Sequence, residues 1–166
     1  MVRERSSSGK ALTPGEVRDE DVDVTFIVWL TSRATTDLLD SVLRPAGLDG
    51  DEFAIYSVLS AASSITPTEL ARWMAAPPTT VSSYVKRFES RGHVKREPNA
   101  DDRRSYRIRL TPAGARAHRA ASKLFVPWRD SVEKALGPRS SEVRDALLTL
   151  REVVDQVRHS PPDPGR

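Results

Sequence analysis

The sequence predicts a mainly α fold in which a pair of short helices and a two-stranded β-hairpin are flanked by long helices at both ends. Three observations carry this prediction. Apolar residues recur every three or four positions near both ends of the chain. The pairs Thr66-Pro67 and Thr111-Pro112 each have the form of a helix start, a capping hydroxyl followed by a residue whose missing amide needs no partner. Between them, Tyr106, Ile108 and Leu110 alternate with Arg107 and Arg109, the period of a strand.

In order along the chain, residues 1–18 are polar and charged with no apolar period and are expected to form a flexible arm. From Asp21 to Val42, Ile27, Leu30, Ala34, Leu38 and Val42 form the stripe of a long amphipathic helix, closed by Pro45 and Gly47. A second helix is expected from Asp51 to Ala62, with Ile55, Val58, Leu59 and Ala62 on one face and Asp51 and Glu52 suiting its positive N-terminal end. Thr66-Pro67-Thr68-Glu69 has the form of a capping box and opens a short helix carrying Leu70, Ala71 and Met74 inward, ending near Ala75.

Pro78 starts the next helix, which Gly92 can stop in the left-handed conformation. Val81, Tyr84, Val85 and Phe88 fall on one of its stripes. Thr79, Ser83, Lys86, Arg87 and Ser90 fall largely on the other, so its exposed face reads as short hydroxyls followed by cations. Small polar residues near a helix N-terminus fit base edges in a major groove, and later cations reach phosphates. The segments His93–Glu97 and Ser105–Leu110 form a hairpin whose connection, residues 98–104, is rich in turn formers and ends in Arg103 and Arg104. Arginines at such a tip suit a minor groove, and one pair between Asp101 or Asp102 and these arginines, involving Asp102, is expected to brace the loop. Thr111-Pro112 restarts helix through Ala117, Ala121, Leu124, Phe125 and Trp128, and Pro127 is expected to kink or break it. After Gly137-Pro138, the last helix carries Val143, Leu147, Leu150, Val154 and Val157 in near-heptad spacing, which calls for a partner surface. Residues 159–166 read as a flexible tail.

Composition limits the function classes. The chain has 166 residues, 38% of them hydrophobic, enough for one core. With no long apolar run and no signal-like N-terminus, a cytoplasmic protein with no membrane partner is expected. The net charge is only +3, but the stretch from Ile65 to Thr111 carries ten Lys or Arg against five acids. This is the asymmetry expected when one segment faces a polyanion and the rest serves folding or assembly, a solvated basic surface being the alternative. Zero cysteines exclude disulfides and thiol switches. His93, His118 and His159 are not spaced for a shared metal site, so no metal and no cofactor is expected. A phosphate loop, a nucleophile elbow and a metal cluster are all missing from the sequence, which places an enzyme last. A module docking an acidic protein is the rival to a DNA-binding reading.

The order of elements is helix, helix, capped helix, recognition helix, wing, long helix, terminal helix. This is a winged helix-turn-helix core with a two-stranded β wing and long N- and C-terminal dimerisation helices. Over residues 21–158 it resembles the MarR (multiple antibiotic resistance regulator) family. The most specific stretch is Asp102-Arg103-Arg104, five residues, then Leu110-Thr111-Pro112-Ala113-Gly114, supported by Thr79-Thr80-Val81-Ser82 and Glu89-Ser90-Arg91-Gly92-His93-Val94. The resemblance implies a homodimer built by residues 19–48 and 112–158, with residues 49–111 as the DNA-binding part of a single 19–158 unit. It implies a repressor binding a pseudo-palindromic double-stranded DNA operator, with Thr79, Thr80, Ser82, Ser83, Lys86 and Arg87 on the recognition helix and Arg96, Arg103, Arg104 and Arg107 on the wing. Many members respond to a small aromatic or phenolic effector, for which Trp29, Phe53, Tyr56, Trp73 and Trp128 are the candidate lining. The chain lacks the cysteine of peroxide-sensing members. Pro77-Pro78 stiffens the turn before the recognition helix and favours a preformed reading head.

Overall fold

The computed structural model describes residues 22–100, 102 and 104–159. The arm expected at 1–18 lies outside these residues, as does the tail except for His159, which closes the last helix.

Helix α1, Val24–Leu43, starts at Asp23, whose carboxylate accepts from the amides of Thr25 and Phe26 at 2.8 and 3.1 Å. A 3-10 turn over Arg44–Ala46 and a left-handed Gly47 (φ +71°) lead to α2, Gly50–Ala62. There Asp49 and Glu52 form a reciprocal capping box. The box expected at Thr66 and Glu69 opens α3, Pro67–Trp73. Helix α3 is shorter than expected, because the chain leaves it through Ala75 in a left-handed conformation (φ +47°). Helix α4, Pro78–Ser90, needs no side-chain cap: Pro78 has no amide, and the Thr80 and Val81 amides reach the Pro77 carbonyl at 3.0 and 3.2 Å. It ends on Gly92 (φ +68°), with the His93 amide bonded to Phe88 O and the Gly92 amide to Glu89 O.

Strand β1, Val94–Pro98, pairs antiparallel with β2, Tyr106–Leu110, Val94 lying opposite Leu110 and Pro98 opposite Tyr106. Ile65 adds a one-residue bridge on the other edge, exchanging two backbone bonds with Ile108. That bridge ties the hairpin to the loop before α3 and gives the small sheet the support a lone hairpin lacks.

Helix α5, Pro112–Leu136, is capped by Thr111. The break expected at Pro127 does not occur, and the helix continues for nine residues beyond it. Pro127 is exposed, so the carbonyl left without an amide partner can be hydrated, while the buried Gly114 and Ala121 anchor the half of the helix before it. A 3-10 turn, Gly137–Arg139, leads to α6, Ser140–His159.

The core gathers Leu43, Ile55, Tyr56, Leu59, Leu70, Val81, Val85, Phe88, Ile108 and Ala121. It joins the end of α1 to α2, α3, α4, the hairpin and the first half of α5. Helix α6 contributes no buried residue, and Leu147, Leu148, Val153, Val154 and Val157 on it are 46–51% exposed. Along α1, Val24, Phe26, Ile27, Trp29, Leu30 and Leu38 are similarly open.

Candidate nucleic-acid interface

The buried stripe of α4, Val81, Val85 and Phe88, seats the helix on the core and turns its opposite side to solvent. Thr79, Thr80, Ser82, Ser83, Lys86 and Arg87 are all exposed there. Ser83 folds its hydroxyl back to the Thr79 carbonyl at 3.0 Å, and Ser90 does the same to Arg87 O at 2.7 Å. The hydroxyls therefore stay close to the helix and leave room for a large ligand to approach its first two turns.

The cations divide into two groups. Arg87 brings Nε within 3.2 Å of Glu52 Oε1 and stacks its guanidinium 4.8 Å from the Tyr84 ring centre. Arg96 donates two bonds to Glu89, at 2.8 and 2.7 Å, and covers the Tyr106 ring at 4.5 Å. Arg107 donates from Nε to Ser64 Oγ at 2.9 Å and from Nη2 to Ser64 O at 3.0 Å, tying β2 to the loop before α3. These three are engaged in holding the fold. Lys86 and Arg104 stand exposed on the helix and at the hairpin tip. Arg103 lies outside the described residues.

The hairpin tip is braced from within. Asp102 Oδ1 accepts from the Arg104 amide at 2.9 Å, and Asp102 O accepts from the Ser105 amide and hydroxyl. Asn99, buried under the turn, donates to Ser105 Oγ at 2.7 Å. Behind the strands, Thr111 donates its hydroxyl to Gly92 O and its amide to His93 O, so α5 begins against the end of α4. At Gly114 a methyl group would lie 2.0 Å from His93 O, so the first turn of α5 can press onto this segment only with glycine there.

The structure separates the aromatic residues expected to line one pocket. Phe53 packs on His118 (5.4 Å) and Phe125 (5.0 Å), and Phe125 on Trp128 (5.5 Å), making an aromatic run along the α2–α5 seam. Tyr56 is core, edge-on to Phe88 at 4.7 Å, with its hydroxyl 2.8 Å from His93 Nδ1. Burial pushes its phenol up to about 12, so it stays neutral. Trp29 stacks on Phe26 on the open side of α1, and Trp73 is 62% exposed at the end of α3. Neither joins the run. The three imidazoles are likewise apart: His93 meets Tyr56, His118 meets Ser57 at 3.1 Å, and His159 meets Asp155 O.

The contact that the sequence does not announce joins Glu52, at the start of α2, to Arg91, at the end of α4. Glu52, 2% exposed, accepts from Arg91 Nη1 at 3.0 Å. Its signal was present in the spacing Asp49-x-x-Glu52, a capping box that fixes where the carboxylate lies.

Comparison with known proteins places this architecture. The sequence profile of the MarR family matches residues 46–105, from the approach to α2 to the hairpin tip. The HTH-type transcriptional regulator PecS of Dickeya dadantii is 30% identical over 139 residues, covering 80% of this chain and 81% of PecS. The chain belongs to the MarR family. The multiple antibiotic resistance protein MarR of Salmonella typhimurium is 25% identical over 97 residues, 58% of this chain and 67% of its own. A transcriptional repressor of Mycobacterium tuberculosis is 26% identical over 132 residues, 79% of this chain and 95% of its own. Among solved structures, the M. tuberculosis transcriptional regulator MOSR in complex with DNA superposes with a TM-score of 0.73 at 26% identity, over 82% of this chain and 99% of that one. PecS and MOSR are transcriptional regulators, and the third relative is a transcriptional repressor. Among the described residues of this member, no helix is long and apolar enough to cross a membrane.

Proposed function

We propose that this MarR-family chain is a homodimeric, sequence-specific DNA-binding regulator, a ligand-responsive repressor of a pseudo-palindromic operator. The observation that carries the reading is the outward face of α4, where Thr79, Thr80, Ser82 and Ser83 are exposed over the first two turns and Lys86 follows. Short hydroxyls let a helix approach base edges closely, and a cation one turn later meets the phosphate backbone. The hairpin adds a preformed tip in which Asp102 fixes the Arg104 backbone. An arginine presented this way suits the negative field of a narrow minor groove. The DNA complex of MOSR and the repressor named among the relatives support the same reading.

The homodimer is supported by the open apolar faces of α1 and α6 and by a groove of about 640 Å³ lined by Val28, Leu147, Leu150, Val154 and Val157. A second copy offers the matching surface, because a two-fold contact pairs a patch with itself. The aromatic run of Phe53, Phe125 and Trp128 supports a flat aromatic or phenolic effector at the α2–α5 seam, between the dimer-forming and DNA-reading parts.

The test is a binding titration against the fragment that the protein itself selects from genomic DNA. Arg104→Ala is expected to weaken binding by about 1 kcal/mol or more with the fold intact. Lys86→Ala is expected to weaken all sequences about equally and to lower the salt slope by about one. Equal, weak affinity for every sequence, unaltered by either change, would contradict the reading and favour an acidic protein as the partner of the basic face.

A further inference from the structure

The N-terminal turn of α2 grips α4 along one edge. Tyr84 donates to Asp51 Oδ2 at 2.9 Å, Arg87 Nε lies 3.2 Å from Glu52 Oε1, and Arg91 Nη1 donates to Glu52 Oε2 at 3.0 Å. Tyr84, Arg87 and Arg91 are spaced three and four apart, so they form one row beside the buried stripe of α4. Glu52 is the centre of the grip. It is 2% exposed, and its Oε2 also takes the long capping contact from the Asp49 amide at 3.4 Å. Oε1 is fully enclosed and has no aligned hydrogen bond among the described residues, so the charge of Arg87 is its nearest compensation. A buried carboxylate left without its cations is far costlier than one that keeps them. Arg87, itself 45% exposed on the same outward turn of α4 as Lys86, is thus tied through Nε to a buried carboxylate.

Resting on the DNA-reading function proposed above, we infer that Glu52 is a positioning residue for sequence discrimination: it withholds Arg87 from DNA phosphates and fixes α4 against α2. A free arginine at that position would take any phosphate within reach, adding affinity that carries no sequence information. Held by Glu52, it leaves the base-facing hydroxyls of the first two turns to decide which sequence is bound. Glu52 is also adjacent to Phe53, which packs on His118 and Phe125 of α5, so the grip connects α4 to the α2–α5 seam.

The experiment compares wild type, Glu52→Gln and the double variant Glu52→Gln/Arg87→Gln on two probes. One is the duplex that wild type enriches from a randomised 30-bp pool, and the other is the unselected pool. Glu52→Gln keeps the shape of the side chain and removes its charge. It is expected to reduce the ratio of selected to unselected affinity by about tenfold and to steepen the salt slope on unselected DNA by about one, as the released Arg87 engages a phosphate. The added slope should vanish in the double variant. Loss of stability alone would leave both the ratio and the slope of the folded fraction unchanged, and that result would overturn the inference. If Glu52→Gln does not fold, the single variants decide: Lys86→Gln should lower the slope by about one, while Arg87→Gln should leave it unchanged. An equal fall with Arg87→Gln would make Arg87 an ordinary phosphate ligand and end the inference. Wild type that enriches no sequence would instead overturn the function on which it rests.

Discussion

Gly114 sits where α5 crosses the carbonyl of His93, and a Cβ there would come within 2.0 Å of that oxygen. Gly114→Ala must push two backbone segments apart, and we expect a loss of about 1–3 kcal/mol, read as a lower urea midpoint. The neighbouring histidines give a pH dependence. Loss of hydration, with the nearby charges of Arg91 and Arg119, holds His93 and His118 below the ordinary 6.5. The unfolded chain therefore binds protons more readily. The stability that the neutral rings contribute is complete above pH 6.5 and is lost as pH falls through 6.5 toward the folded values. The urea midpoint of wild type should fall between pH 7.5 and 5.5, and His118→Gln should reduce that fall; an unchanged profile would contradict it. At this scale the sequence is a partial guide. Thr79 to Lys86 are legible because exposure follows from the helical stripe. The engagements of Arg87, Arg96 and Arg107 are not, because their partners Glu52, Glu89 and Ser64 are brought beside them by tertiary packing.

Elements were legible where caps and breakers declare them. Thr66, Thr111 and Gly92 mark their boundaries through local hydrogen bonds that the sequence already contains. Thr66→Ala removes the acceptor for the Glu69 amide and one bond to its carboxylate, and should cost about 1 kcal/mol of stability. Pro127 does not break α5, because a proline rule describes an isolated helix, whereas α5 is held by contacts with α1 and α2. The Ile65–Ile108 bridge was invisible for a related reason: a single residue has no periodicity to read. The aromatic set divided because spacing along a helix does not say which neighbour a ring meets. Phe53 and Trp128 join through Phe125, while Trp73 remains outside.

The whole molecule leaves its terminal helices unfinished. On α6, Leu147, Val154 and Val157 line one groove with Val28 of α1, yet among the described residues none of this helix is buried. If a second copy covers this face, the melting temperature should rise with protein concentration. Leu147→Asp with Val154→Asp should give a monomer in sedimentation and abolish that dependence. Two such chains should present two α4 helices to one duplex, which hydroxyl-radical footprinting on the fragment selected from genomic DNA would show. We expect two protected half-sites related by a pseudo-two-fold axis and about one helical turn, roughly 10 bp, apart, with the pattern lost in the monomeric variant. Uniform, sequence-blind protection, or an identical footprint from the monomer, would contradict it.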